Sequence, residues 1–87
     1  MSLHFLEADD RFYVCDVNNR KIAEMTFTRV GNDKATIDHT YIDPAYRGQG
    51  IANNLLDLVV ERLRQEKREI IPICSFAVKK LSRQVFF

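Results

Sequence analysis

The clearest chemical signal in this chain lies in eight residues, Asp43-Pro44-Ala45-Tyr46-Arg47-Gly48-Gln49-Gly50. The sequence holds three glycines, and two of them fall here, just ahead of an amphipathic helix pattern. A glycine-bearing turn that opens a helix after a parallel strand leaves backbone N–H groups unpaired at the positive end of the helix dipole. Such a turn is an anion site, most naturally for a phosphate or pyrophosphate. Missing side chains at Gly48 and Gly50 let a ligand approach the backbone, and Arg47 can add a full charge. The plainer reading, a strand-to-helix turn whose glycines serve geometry alone, stays open on these residues. Two common phosphate motifs are excluded. A P-loop needs Gly-Lys-Ser/Thr, and here Gly50 is followed by Ile51-Ala52. The dinucleotide fingerprint needs a third glycine where Asn53 stands.

The elements on either side must hold this loop. Leu3 to Ala8 and Arg11 to Val17 read as short strands divided by Asp9-Asp10. Asn18-Asn19-Arg20 is a tight-turn signal, because asparagine tolerates the left-handed conformation. Lys21 to Arg29 is a third strand, Gly31-Asn32-Asp33 a turn, and Ala35 to Ile42 a fourth strand. Close turns between short strands predict an antiparallel meander. The period then changes. Ile51, Leu55, Val59 and Leu63 recur every four residues, widened by Ala52, Leu56, Leu58 and Val60, so a helix is expected over about 50–67. Ile70 to Cys74 reads as a short buried strand and Phe76 to about Gln84 as a last helix. Strand, helix, strand implies a right-handed crossover that sets 70–74 parallel to 35–42. The expected fold class is α+β, a meander leading into one βαβ unit.

At 87 residues, with 46% hydrophobic and 29% charged side chains, the chain is expected to form one globular domain over 1–87 rather than a disordered tail. No apolar run approaches the roughly 20 residues that span a bilayer. Met1-Ser2-Leu3-His4-Phe5 lacks the basic and apolar regions of a signal peptide. Cys15 and Cys74 are too few for a disulfide framework and are read as reduced thiols of a cytoplasmic protein. The net charge of +1 says nothing about partners, but its halves differ: residues 1–43 hold five basic and eight acidic side chains, residues 44–87 eight and four. A basic second half suits an anionic ligand or nucleic acid, or is simply a solvated face. Interleaved exposed aromatics, which nucleic-acid binding would favour, are lacking, so no nucleic-acid partner is expected.

Arg47-Gly48-Gln49-Gly50-Ile51-Ala52 resembles the Arg/Gln-x-x-Gly-x-Gly/Ala acyl-CoA pyrophosphate loop of the GNAT acetyltransferase superfamily. His39-Thr40 in the strand before the loop and Pro72-Ile73-Cys74 at the next strand narrow the resemblance to the compact single-domain GNAT-like N-acetyltransferases. It covers about residues 4 to 83. The resemblance implies a compact GNAT-like fold and acetyl-CoA as donor. It places the CoA pyrophosphate on the backbone of Arg47, Gly48, Gln49, Gly50, Ile51 and Ala52. It also places the pantetheine arm along the main chain of Tyr41, Ile42 and Asp43. That position agrees with the rule that ligands of open α/β sheets bind outside the carboxyl ends of parallel strands. Lys79 on the last helix is the candidate for the 3′-phosphate.

Two catalytic candidates follow from the same resemblance. Cys74, expected to end its strand facing the cleft, is either a nucleophile carrying an acetyl group or a small buried hydrophobe. His39 is a candidate base, since histidine as a residue type titrates near neutrality. Two-residue alternation puts it on one face with Ala35, Ile37 and Tyr41, with Asp38 and Thr40 on the other. The larger GNAT enzymes supply a tyrosine as general acid after the strand equivalent to 70–74, but here Ser75-Phe76-Ala77-Val78 follows. Their extra walls around the acceptor are not expected within 87 residues. The expected acceptor is therefore an amine in an open site, on a protein or other macromolecule, or in a site completed by a homodimer. Val85-Phe86-Phe87 is expected to pack on the core or on a partner subunit. The competing reading is a non-catalytic acyl-CoA-binding or regulatory module.

Overall fold

The computed structural model describes residues 3–84. Its elements are β1 (His4–Glu7), β2 (Arg11–Cys15), β3 (Lys21–Val30), β4 (Lys34–Ile42), α1 (Ile51–Gln65), β5 (Glu69–Pro72) and α2 (Ser75–Gln84), with a single 3₁₀ turn at Pro44–Tyr46. The five strands form one sheet in sequence order. The first four pair antiparallel, and β5 lies parallel to β4 from Lys34↔Glu69 to Ile37↔Pro72. This is the expected meander and βαβ unit, an α+β architecture. The β2–β3 turn works as its asparagines predict: Asn19 is left-handed at φ 66°, and Asp16 Oδ1 accepts from the Asn18 and Arg20 amides.

Both helices cover one face of the sheet. Ile51, Leu55, Leu56, Val59 and Leu63 bury the predicted stripe of α1 against Val14, Ile22, Met25, Phe27, Ala35 and Ile37. Ala77 brings α2 onto the same core. The opposite face has no helix over it among the described residues. The far end of α1 is fastened to the sheet by Glu66, whose carboxylate accepts from Arg29 at 2.8 and 2.7 Å, from Arg68 at 2.7 Å and from Arg62 at 3.2 Å. The Arg29 and Arg68 guanidinium groups hold that carboxyl well below its ordinary value.

One irregularity decides the site. Thr26 pairs with His39, but Phe27 pairs with Ile37, so Asp38 is an extra residue in β4 and the strand bulges there. A single extra residue reverses which side chains face which way. Below the bulge Ala35 and Ile37 face the core. Above it the core-side residues are Thr40, opposite buried Met25, and Ile42, opposite buried Ala23.

Candidate active site

The loop from β4 to α1 is shaped by its own residues. Asp43 caps the 3₁₀ turn by accepting from the Ala45 amide at 2.9 Å, and its other oxygen meets Arg20 at 2.9 Å. Gly48 and Gly50 sit at φ 82° and 78°, where L side chains are strained. A Cβ on either would touch nothing within 4 Å, so the backbone there borders open space. Gly50 is the N-cap residue of α1 and offers no side-chain cap. The first α1 amide with a partner is that of Asn54, which donates to the Gly50 carbonyl at 3.1 Å. Among the described residues the amides before it have no backbone partner, and they sit at the positive end of a 15-residue helix.

Those groups line a cleft of about 290 Å³. Arg47, Gly48, Gly50, Ile51, Ala52 and Asn53 form one wall, with Ile42 and Tyr46 behind them and Phe76 and Lys80 of α2 opposite. Gln49 belongs to the loop but is exposed and outside the lining. Lys79, the 3′-phosphate candidate, is exposed on α2 and outside the cleft lining, whereas Lys80 lines the cleft, its Nζ 5.8 Å from the Phe76 ring centroid. Phe76 and Lys80 are four apart and share a helix face, a spacing visible in the sequence.

Inward of this cleft, β4 and β5 part. Pairing stops at Pro72, whose backbone nitrogen points to the outer edge, and the Ile73 and Cys74 amides both donate to the Ile37 carbonyl, at 3.0 and 3.1 Å, just before the Asp38 bulge. The upper part of β4 therefore keeps β3 on one side and has, among the described residues, no strand on its other edge. The Asp43 amide donates to Ile22 at 2.7 Å, so it faces β3, and by alternation the Tyr41 backbone does too. Of the expected main-chain partners Tyr41, Ile42 and Asp43, only Ile42 turns its backbone to the vacated edge, where its carbonyl accepts from Arg47 Nε at 3.3 Å. Thr40 is the second residue facing that edge, and sequence reasoning missed it.

Cys74 does not end β5. It is the residue before α2: its carbonyl accepts from the Val78 amide at 3.0 Å, and its Sγ accepts from the Ala77 amide at 3.4 Å, the position of an N-cap side chain. The Thr40 hydroxyl lies 3.3 Å from the same sulfur. Thr40 precedes the lining residue Ile42 by two positions and Cys74 precedes Phe76 by two, and neither lines the cleft itself. His39 is elsewhere. The bulge moves it, exposed, onto the uncovered face with Tyr41 and Thr26, not with Ala35 and Ile37 as alternation predicts. Asp38 shares that face, its carboxylate bonded to the hydroxyls of Thr28 and Thr36 and not to the imidazole. His39 and Cys74 thus flank β4 from opposite sides of the sheet.

Cys15 is buried and free, apart from the main core cluster. Val85, Phe86 and Phe87 lie outside the described residues. Among the described residues no helix is long and apolar enough to cross a membrane, and no group of His, Cys, Asp and Glu is placed to hold a metal.

Comparison with known proteins agrees with this geometry. A search of curated proteins gave no significant match. A GCN5-like N-acetyltransferase candidate from Staphylococcus aureus superposes with a TM-score of 0.76 at 36% identity, over 93% of this chain and 79% of its own. The ribosomal-protein-S18-alanine N-acetyltransferase of Escherichia coli gives 0.68 at 18% identity, over 90% of this chain and 53% of its own. The ribosomal-protein-alanine N-acetyltransferase of Brucella melitensis biovar Abortus 2308 gives 0.64 at 19%, over 88% and 60%. These last two share the fold alone, and this chain spans little more than half of their length. Residues 11–85 match the sequence profile of the GCN5-related N-acetyl-transferases, and the chain belongs to that family, whose enzymes use acetyl-CoA.

Proposed function

We propose that this single domain binds acetyl-CoA across the loop and the parted edge of β4, and moves its acetyl group to a primary amine. The observation that carries the reading is the continuity of three donor or acceptor sets. Unpaired amides of the loop and first turn of α1 suit the pyrophosphate. Lys80 offers a cation on the opposite wall for a phosphate. The Ile42 and Thr40 main chain can then pair with an amide-bearing arm as a missing strand would. An arm so placed ends at Thr40 and Cys74.

The amine approaches from the uncovered face. Its nitrogen attacks the thioester carbonyl, the C–S bond breaks, and the amine proton passes to His39. The departing thiolate takes a proton from the Thr40 and Cys74 pair, the protic groups at the inner end, in the role for which no tyrosine is present. Most of the acceleration comes from orientation and from fixed donors at the carbonyl. An uncovered sheet face suits an amine presented on a protein or other macromolecule. Transfer through acetyl-Cys74 is the alternative route, and its signature is a stable 42 Da adduct (the mass of an acetyl group replacing hydrogen, about 42) on Cys74 after mixing with acetyl-CoA alone.

A thermal melt with excess acetyl-CoA tests the donor site. At 100 times Kd a ligand adds about 2.7 kcal/mol, and in a domain this small each kcal/mol moves Tm by roughly 4–8 °C. The expected result is a rise on the order of 10 °C that Gly50→Glu abolishes. No rise at millimolar acetyl-CoA would overturn the reading.

A further inference from the structure

The uncovered face holds a carboxylate that has no cation partner among the described residues, on the side from which the proposed function brings the acceptor. Asp38 is the bulged residue of β4 and the first beyond its pairing with β5. Its Oδ2 accepts from the Thr28 hydroxyl and its Oδ1 from the Thr36 hydroxyl, the latter at 2.6 Å. Ile37 before it is fully buried in the core, and His39 after it is exposed on the same face. Glu24, the other carboxylate that β3 and β4 turn to this face, is already paired with Arg11 at 2.8 Å and Lys21 at 2.6 Å. Asp38 has no such partner among the described residues. An ionised carboxylate has about four acceptor positions, so two hydroxyls fix its direction and leave lone pairs for a cation.

We propose that Asp38 captures the acceptor as its ammonium, before the proton is lost, and holds the nitrogen beside His39 at the mouth of the split. The substrate class this names is a primary aliphatic amine, protonated at neutral pH as a lysine side chain is, arriving on the sheet face opposite the helices. The inference deepens the acetyl-transfer reading and rests on it for the reaction, though the cation site stands on its own geometry. Asp38 is thus a recognition and positioning residue; His39 takes the first ammonium proton and releases it to water before attack, and takes the second as the C–N bond forms.

An NMR titration of the full chain separates the two claims. n-Butylammonium chloride at constant ionic strength is the probe, n-butanol its neutral control, and CoA a separate arm. Saturable shifts in the amides of residues 36–41 are expected with the ammonium and not with the alcohol. Asp38→Asn should weaken the ammonium response by roughly fivefold or more, the loss of one partly buried ion pair, while Asp38→Glu retains much of it. Equal responses to ammonium and alcohol, or an unchanged affinity in Asp38→Asn, overturn the proposal. If Asp38→Asn unfolds, Thr36→Val reads the same point by removing a hydroxyl that aims the carboxylate, and unchanged affinity there is equally fatal. CoA should move residues 47–53 instead. If it does not, while the ammonium still moves 36–41, the donor-site reading fails and the cation site survives.

Discussion

Gly50 holds two functions in one backbone conformation. At φ 78° it turns the chain from the loop into α1, and its missing side chain leaves the first-turn amides approachable. Gly50→Ala keeps the space open, because a Cβ there meets nothing, but a left-handed alanine costs about 1–2 kcal/mol. Its Tm should therefore fall by roughly 5–15 °C in a circular-dichroism melt, without loss of the acetyl-CoA shift. An unchanged Tm would mean that the loop relaxes out of the left-handed region. Inward of the cleft, Cys74→Ser and Cys74→Ala separate the two roles of the thiol. A serine leaves a protic group beside Thr40 and a cap for the Ala77 amide, so proton return predicts that it retains more kcat than alanine. A sulfur nucleophile predicts that both are dead. His39→Gln removes the base and should lower kcat by about 10²–10⁴, with the acetyl-CoA melt shift intact, since the imidazole lies on the far face of the sheet. Loss of that shift would place His39 in the donor site instead.

The elements were legible where a period ran long enough. Four apolar residues at spacing four gave α1 within about a residue at its start, and Asn18-Asn19 marked a true turn. The bulge in β4 was not legible. Through Asp38-His39-Thr40 the strand carries three polar side chains in a row, so there is no apolar alternation whose reversal would reveal an extra residue. That single feature misassigned His39, Thr40 and Tyr41 together, while Asp38 kept the face that alternation gave it. Cys74 was misplaced for a different reason. A short apolar run looks continuous from Ile70 to Cys74, yet pairing ends at Pro72 and the next two amides share one carbonyl. The Glu66 clamp joins residues far apart in sequence, which charge counting does not reveal. It makes a prediction about pH. Because the folded carboxyl titrates below its ordinary value of 4.5, its stabilisation is fully present above that pH and is lost as pH falls toward the depressed folded value. Glu66→Gln should therefore melt lower than the parent at pH 7, and the gap should narrow below about pH 4.5. A gap that is constant from pH 7 to pH 3 would assign the loss to packing rather than charge.

As a whole the molecule is a two-layer fold with its helices on one face and its catalytic histidine candidate on the other. A sheet that stayed paired would seal these faces from each other. Because β5 ends early, the proposed function puts the donor among the helices and brings the acceptor to it from outside, past the parted edge. The cleft is also a joint. Its loop wall belongs to α1 and β4, which are packed deep in the core, whereas its other wall is α2, which packs chiefly against the four-residue edge strand β5. An element with so few neighbours opens at low free energy, and a ligand that bridges it to a well-packed wall should close it. Amide hydrogen exchange tests this at the scale of the molecule. With saturating acetyl-CoA the amides of 76–81 should slow more than those of β1, the strand at the opposite edge and far from the cleft. Lys80→Ala, which removes the cation on the α2 wall, should reduce that protection at the same ligand concentration. Protection confined to 47–53 would show that the donor is held by the loop alone, and that α2 forms a wall without closing on it.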